Sequence, residues 1–258
     1  MKKIFRYTWI FLRSILILLA LWAIMNSSVK NIESTIKIEQ FKSQGIYEPE
    51  KSSSFIKYYR VPVSDPNEAP AYHVEGNLVL PGSPGDVIVS LTSSINIPVI
   101  RAIISFYAGG HAALCTDDYC DYYGSSNTST IIEAPGVDDY PCPARVSSIY
   151  YWTTPNLFSS SLVLRVKMTD REKTEVLSYA QTIVGDPYNY SFLFDTTNKS
   201  YCSDLVSKSF KKINKNLNKD SFSTTRQDLV ISDETYITFY QYFENDVRYI
   251  YYLGPQNK

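Results

Sequence analysis

Between Tyr201 and Ile213 the apolar side chains Leu205, Val206, Phe210 and Ile213 recur at helical spacing, and Cys202 stands at the head of that run. A segment with this period must lay one stripe of side chains against a core. The spacing predicts a thiol on the first turn of an amphipathic helix, facing the interior. Unpaired amides and the dipole at a helix start favour thiolate over thiol, so Cys202 reads as a nucleophile with a lowered pKa. A nucleophile needs a base, and the chain holds two histidines, His73 and His111.

At 258 residues and 44% hydrophobic composition the chain is long enough for one filled domain and an appendage. Its net charge of -1, with no basic run interleaved with aromatics, gives no reason to expect nucleic acid as a partner. Lys2, Lys3 and Arg6 precede an apolar run from Ser14 to Met25 that follows Arg13. Such charges hold their end in the cytoplasm, which places the remainder outside it. Counted from Tyr7 with Arg13 snorkelling, the stretch is long enough to span a bilayer, and its end is a poor cleavage site. Residues 1–25 therefore read as a signal anchor, with a cleaved signal and a secreted domain as the alternative.

The cysteines at 115, 120, 142 and 202 suit an oxidising compartment only if some stay unpaired. Cys115 and Cys120 are spaced for a disulfide across a turn, which leaves Cys142 as a free thiol or an alternative partner of Cys120. No second close Cys or His pair completes a zinc site, so no metal is expected, and no cofactor signal is present.

Residues 26–76 are mixed and polar, with Pro66, Asn67 and Pro70 as breakers, and read as a tether with some order near the domain. The domain is placed at 77–258. Leu78-Val79-Leu80 leads into a turn-rich corner at 81–86, strands are expected at 87–91, 111–115, 130–133 and 161–166, and an apolar stretch from Ile95 to Tyr107 suggests a short helix over the active face. A hairpin centred near Tyr122 sets residue 111 opposite 133. Asp170 is the expected cap of a helix over 171–184, whose stripe is Val176, Leu177, Ala180 and Ile183. Segments around 229–231, 236–243 and 248–253 read as closing strands. The sum is an α+β domain with one mostly antiparallel sheet packed against helices.

Cys202, His111 and Glu133 together supply the roles of a thiol acyl-transfer site: nucleophile, general base, and a carboxylate that orients and stabilises the imidazole. Around them Gly85-Asp86-Val87-Ile88-Val89, Gly110-His111-Ala112-Ala113-Leu114, Ile132-Glu133-Ala134, Leu164-Arg165-Val166, Gly185-Asp186-Pro187-Tyr188-Asn189-Tyr190 and Tyr201-Cys202-Ser203-Asp204-Leu205-Val206 occur in one order. Over roughly residues 77–235 this resembles the permuted papain-like amidases of the YaeF/YiiX type, a branch of the NlpC-like cysteine peptidase superfamily.

The resemblance implies a circularly permuted papain-like fold, with the histidine strand ahead of the cysteine helix. It also implies His111 as base, Glu133 as orienting group and Cys202 as nucleophile, with Tyr188, Tyr190 and Tyr201 lining the substrate pocket. Asp204 stands where the family often has Glu, and the long insertion between His111 and Glu133 bears on specificity. The implied activity is extracytoplasmic cleavage of an amide in a peptide or amino-acyl substrate through a thioester. The alternatives are a lipid-directed thiol acyltransferase or hydrolase, and a catalytically silent binding module. Asp86 reads as structural, and His73 as a surface or linker residue.

Overall fold

Runs such as Val87-Ile88-Val89 and Leu162-Val163-Leu164 carry apolar residues at successive positions, which only a strand covered on both faces can bury. The structure, a computed structural model, describes residues 2–63, 65, 68, 74–75, 78–79, 82–93, 95, 97–116, 131–136, 142–149, 152, 158–192, 198–218 and 223–255. His73, Cys120 and the boundary expected at 76–77 lie outside the described residues.

In chain order the elements are α1 (Lys2–Ser43), β1 (Ile46–Tyr47), β2 (Ile56–Val63), β3 (Val74–Glu75), β4 (Leu78–Val79), β5 (Val87–Ser90), α2 (Pro98–Tyr107), β6 (His111–Cys115), β7 (Ile131–Glu133), β8 (Arg145–Ser147), β9 (Ser160–Val166), α3 (Asp170–Ile183), α4 (Cys202–Lys211), α5 (Arg226–Ile231), β10 (Thr235–Glu244) and β11 (Val247–Pro255). Among the described residues nine strands form one sheet in the order β1-β2-β11-β10-β9-β5-β6-β7-β8, and β3 pairs with β4. The ladder is antiparallel except where β2 runs parallel to β11. The mixed α+β architecture is as expected.

Both faces of the central strands are covered. Val87, Val89, Leu114 and Leu164 pack with Val176 of α3, Leu205 of α4 and Leu229 of α5. Ile88, Ala113, Ile131 and Val163 pack on the other side with Trp152 and Phe158. Asp86 accepts from the Ser83 amide and forms a two-point ion pair with Arg165 at 2.8 Å, locking the turn into β5 to β9.

Several local expectations differ from what is found. In the β6–β7 pair Ala113, not His111, lies opposite Glu133. The shift is two residues, so both side chains stay on the same face. The cap of α3 is Thr169, which forms a reciprocal capping box with Glu172, leaving Asp170 as the first helical residue. Val176, Ala180 and Ile183 are buried as expected, whereas Leu177 packs on the core only in part.

The strand expected at 229–231 is the end of α5. Its start is set by a Thr225/Asp228 capping box, which overrides the β preference of Val230 and Ile231. On α4 every residue from Cys202 to Phe210 is buried, so the helix is covered almost all round rather than on one face. Small serines make this feasible: Ser203 donates to the Thr224 carbonyl at 2.7 Å and Ser209 to that of Leu205 at 2.8 Å.

The largest difference concerns the segment read as a tether. The helix of the N-terminal apolar run continues without a break to Ser43, and after Met25 it buries Ser27, Lys30, Ser34, Ile38 and Phe41, a seam at spacings of three and four residues. Lys30 Nζ meets the Asp228 carboxylate on α5 at 2.9 Å, with both side chains buried. β1 and β2 then add strands to the sheet. Before Met25 the same helix is apolar and exposed, with a mean hydropathy of 2.1 over its most apolar stretch, and is long enough to cross a membrane.

Candidate active site

His111 opens β6, and the start of that strand is pinned from two sides. Gly110 lies so close to β5 that a Cβ there would sit 2.0 Å from the Thr92 carbonyl oxygen, so only glycine fits without moving the backbone. The Arg226 guanidinium donates at 2.6 Å to the carbonyls of both Ala108 and Gly110. The imidazole stacks on Trp152 with ring centroids 5.3 Å apart, and Trp152 stacks on Phe158 at 4.7 Å. This fixes the ring plane.

His111 Nε2 meets Glu133 Oε2 at 2.8 Å. The other carboxylate oxygen accepts from the Ser147 hydroxyl at 2.7 Å and from Arg145 Nε at 3.2 Å. The Cys202 sulfur lies close enough to the imidazole that each group shifts the other's ionisation. The structure thus brings Cys202 beside His111, and His111 onto Glu133.

The charges along this chain are set by its neighbours. Burial opposes ionisation of Cys202, but the Arg226 charge, the bond to His111 and the Ala112 amide outweigh it and lower the thiol to about 6. Burial likewise opposes the imidazolium, and bonds to Cys202 and Glu133 overcome it, holding His111 at about 9. Burial pushes Glu133 up, yet His111, Ser147 and Arg145 together bring it down to about 2. These shifts all run in the direction that favours a thiolate–imidazolium–carboxylate array. The thiol is lowered by a cation and the imidazolium, where the sequence pointed to the helix start.

A cleft of about 1220 Å³ opens over the site, and His111, Glu133, Tyr188, Tyr190, Tyr201 and Arg226 all line it. Cys202 itself is 1% exposed and lies beneath this floor. Burial and the charge of the nearby Cys202 sulfur raise the pKa of the Tyr188 hydroxyl. An isolated bridge joins Tyr188 to Ser200, setting the tyrosine segment alongside the strand-like approach to α4. Gly136, at φ +73°, allows the approach: a Cβ there would lie 2.5 Å from the Tyr188 ring. Tyr190 is 45% exposed and packs on Tyr188 with ring centroids 4.8 Å apart, while Tyr201 is buried with its hydroxyl 3.3 Å from Ser223 Oγ. Burial pushes Tyr201 up to about 12.

Cys142 and Cys202 are both buried free thiols, so no disulfide joins them. The proposed Cys115–Cys120 pairing falls outside the described residues. Asp204 forms an ion pair with Lys208 one turn on, at 2.7 Å, and Lys208 reaches back to the Lys199 carbonyl, fastening the approach to the helix.

Arg226 and Trp152 escaped the sequence reading. Nothing in their local pattern links them to Cys202. The Thr225-x-x-Asp228 signature is the one sequence feature that could have placed Arg226 at a helix start.

A family model described as "Permuted papain-like amidase enzyme, YaeF/YiiX, C92 family" matches residues 84–245, more than half of the chain. A crystal structure described as metalloprotein yiiX from Escherichia coli O157:H7 is similar, at 18% identity and a TM-score of 0.38, covering 60% of this chain and 88% of that one. No curated protein matches.

Proposed function

The chain belongs to this family of permuted papain-like cysteine amidases and peptidases, and we propose that Cys202, His111 and Glu133 are the groups that carry its reaction, the cleavage of an acyl amide through a thioester. The observation that supports this most directly is the 2.8 Å contact of the His111 imidazole with the Glu133 carboxylate, beside the sulfur of Cys202.

In the first step the Cys202 thiolate adds to the amide carbonyl carbon, and the carbonyl π electrons move onto oxygen. The oxyanion takes donors from the backbone N–H of Cys202 at the start of α4 and from the nearby Tyr188 hydroxyl. The C–N bond then breaks, and the departing amine takes the proton that His111 holds. In the second step neutral His111 removes a proton from water, the hydroxide displaces the sulfur, and the carboxylic acid leaves with Cys202 restored as thiolate and His111 as imidazolium. Glu133 keeps the imidazole in the orientation and tautomer that both transfers require.

Tyr190 and Tyr201 line the cleft in which a peptide or amino-acyl amide would lie. The cations ahead of the apolar run support a catalytic domain held outside the cytoplasm by α1. No cofactor takes part in this scheme.

The test is a trapped intermediate. Acid quenching during turnover of an activated N-acyl amide, followed by mass mapping, is expected to find the acyl mass on Cys202, with none in Cys202→Ala and a rate of formation at least about 100-fold lower in His111→Ala. An adduct on another residue, or equal formation in the His111 variant, would rule the assignment out.

A further inference from the structure

The cleft over Cys202 is not walled by the catalytic domain alone. One side is formed by Trp22, Ala23 and Asn26 of α1, and the facing side by Ile103 and Tyr107 of α2. Trp22 belongs to the exposed apolar run, so the cleft reaches along α1 to the level where that helix is suited to lipid.

The helix α2 has an unusual surface for a protein in water. None of its residues is buried, and Val99, Ile100, Ile103 and Tyr107, with Ile97 at its cap, are 40% to 69% exposed. Its one charged residue is Arg101, a cation, and it carries no carboxylate. An apolar face of this kind bearing a single cation suits the boundary between lipid headgroups and acyl chains.

The position of α2 fits that setting. Asn31 of α1 donates to the Phe106 carbonyl at 2.8 Å, and Gln227 donates at 3.2 Å both to Ser105 and to Asn31. These bonds fasten the C-terminal end of α2 to α1 six residues past Met25, about 9 Å along the axis. The exposed face of α2 is therefore continuous with the segment that crosses the bilayer. Trp22 and Tyr107, amphipathic rings on the two helices, both border the cleft, as side chains at a membrane interface do.

We propose that α2 is seated in the leaflet that α1 crosses, and that the cleft between the two helices receives its substrate laterally from that leaflet: a long-chain acyl amphiphile whose scissile amide or ester lies at headgroup depth. This rests on the assignment of Cys202 above and names the substrate class of that site. A free peptide in bulk water would have to reach the thiolate past the bilayer surface, whereas a chain already in the leaflet meets the apolar mouth directly.

Two measurements on the full chain in phosphatidylcholine–phosphatidylglycerol vesicles test it. In the first, nitroxides attached at Val99→Cys and Ile100→Cys, in a Cys120→Ser/Cys202→Ser background, are expected to collide with oxygen in preference to a nickel chelate, and a label at Lys173→Cys to do the reverse. Chelate-accessible labels on α2 would overturn the docking, as would dipolar broadening that shows a second copy covering this face. This result does not depend on any turnover, so it stands or falls apart from the role of Cys202. In the second, one amine is acylated with chains of two, eight and sixteen carbons. The sixteen-carbon amide or its ester counterpart is expected to exceed the two-carbon amide in kcat/KM by at least about 100-fold. Val99→Asp/Ile100→Asp, at positions outside the cleft, is expected to remove most of that advantage while leaving the water-soluble two-carbon amide unaffected. Equal turnover of all chain lengths would overturn the substrate class, and comparison of the amide and ester series identifies the bond cleaved.

Discussion

Cys202→Ser is expected to lower kcat/KM by at least about 10⁴-fold while leaving the melting temperature within a few degrees of the parent. The hydroxyl is close in size to the thiol and can keep the hydrogen bond to His111, so the buried start of α4 has no reason to repack. What is lost is the thiolate. Arg226 and the imidazolium bring a thiol down to about 6, but a shift of that size leaves a serine hydroxyl protonated at neutral pH. The substitution also removes the anion that holds His111 at about 9. The His111 titration, followed by NMR, is therefore expected to move towards its ordinary range. Retention of more than about 1% of activity would place the nucleophile elsewhere.

Asp228→Ala is expected to give the largest loss of stability, about 3–5 kcal/mol, read as a fall in melting temperature of roughly 10 °C. Asp228 is fully buried, pairs with Lys30 of α1, and accepts from the amide and hydroxyl of Thr225 at 2.8 and 2.6 Å. Alanine both uncaps α5 and leaves the Lys30 ammonium buried beside an apolar methyl. The cost follows from taking away the carboxylate that a buried ammonium faces, so Lys30→Met/Asp228→Asn should recover most of it: the amide oxygen still accepts from Thr225 and no buried ammonium remains. A double variant as unstable as Asp228→Ala would refute this reasoning. Arg226 directly follows Thr225, and its two bonds to Ala108 and Gly110 position the strand that bears His111. Loss of activity in Asp228→Ala is therefore expected below the temperature at which the domain melts.

These two sites illustrate what the sequence made legible. The catalytic elements lie on segments of strong pattern: the helical spacing after Cys202, and short apolar runs that a two-sided sheet requires. Their order carried the family resemblance. The β6–β7 register was displaced by two residues, because period-two patterning specifies the face of a strand while the turn sets its alignment. His111 and Glu133 meet because the face was right.

What was hidden has physical reasons. The seam of α1 begins with Ser27, Lys30 and Ser34, so a stripe that buries small and charged groups reads as polar; its partner, Asp228, lies 198 residues away. β2 contains Pro62 and looks interrupted, but it lies beside Gly254 in a parallel ladder near the sheet's end. Over 229–231 the β-branched Val230 and Ile231 favour a strand, and the capping box of Thr225 and Asp228 outweighs them. Trp152 and Arg226 reach the site only through tertiary structure, from segments without their own signal for chemistry.

In the proposed mechanism Cys202 rests as a thiolate paired with the His111 imidazolium, and the pH dependence of its alkylation by iodoacetamide measures this directly. A thiol of lowered pKa becomes reactive as pH rises through that value. The rate at Cys202 should therefore climb to its plateau through a midpoint near about 6, as set by Arg226 and His111, and His111→Ala should move the midpoint up towards the ordinary thiol range, about 8.5. A midpoint near that ordinary value in both proteins, or no alkylation of Cys202 across the range, would contradict the account.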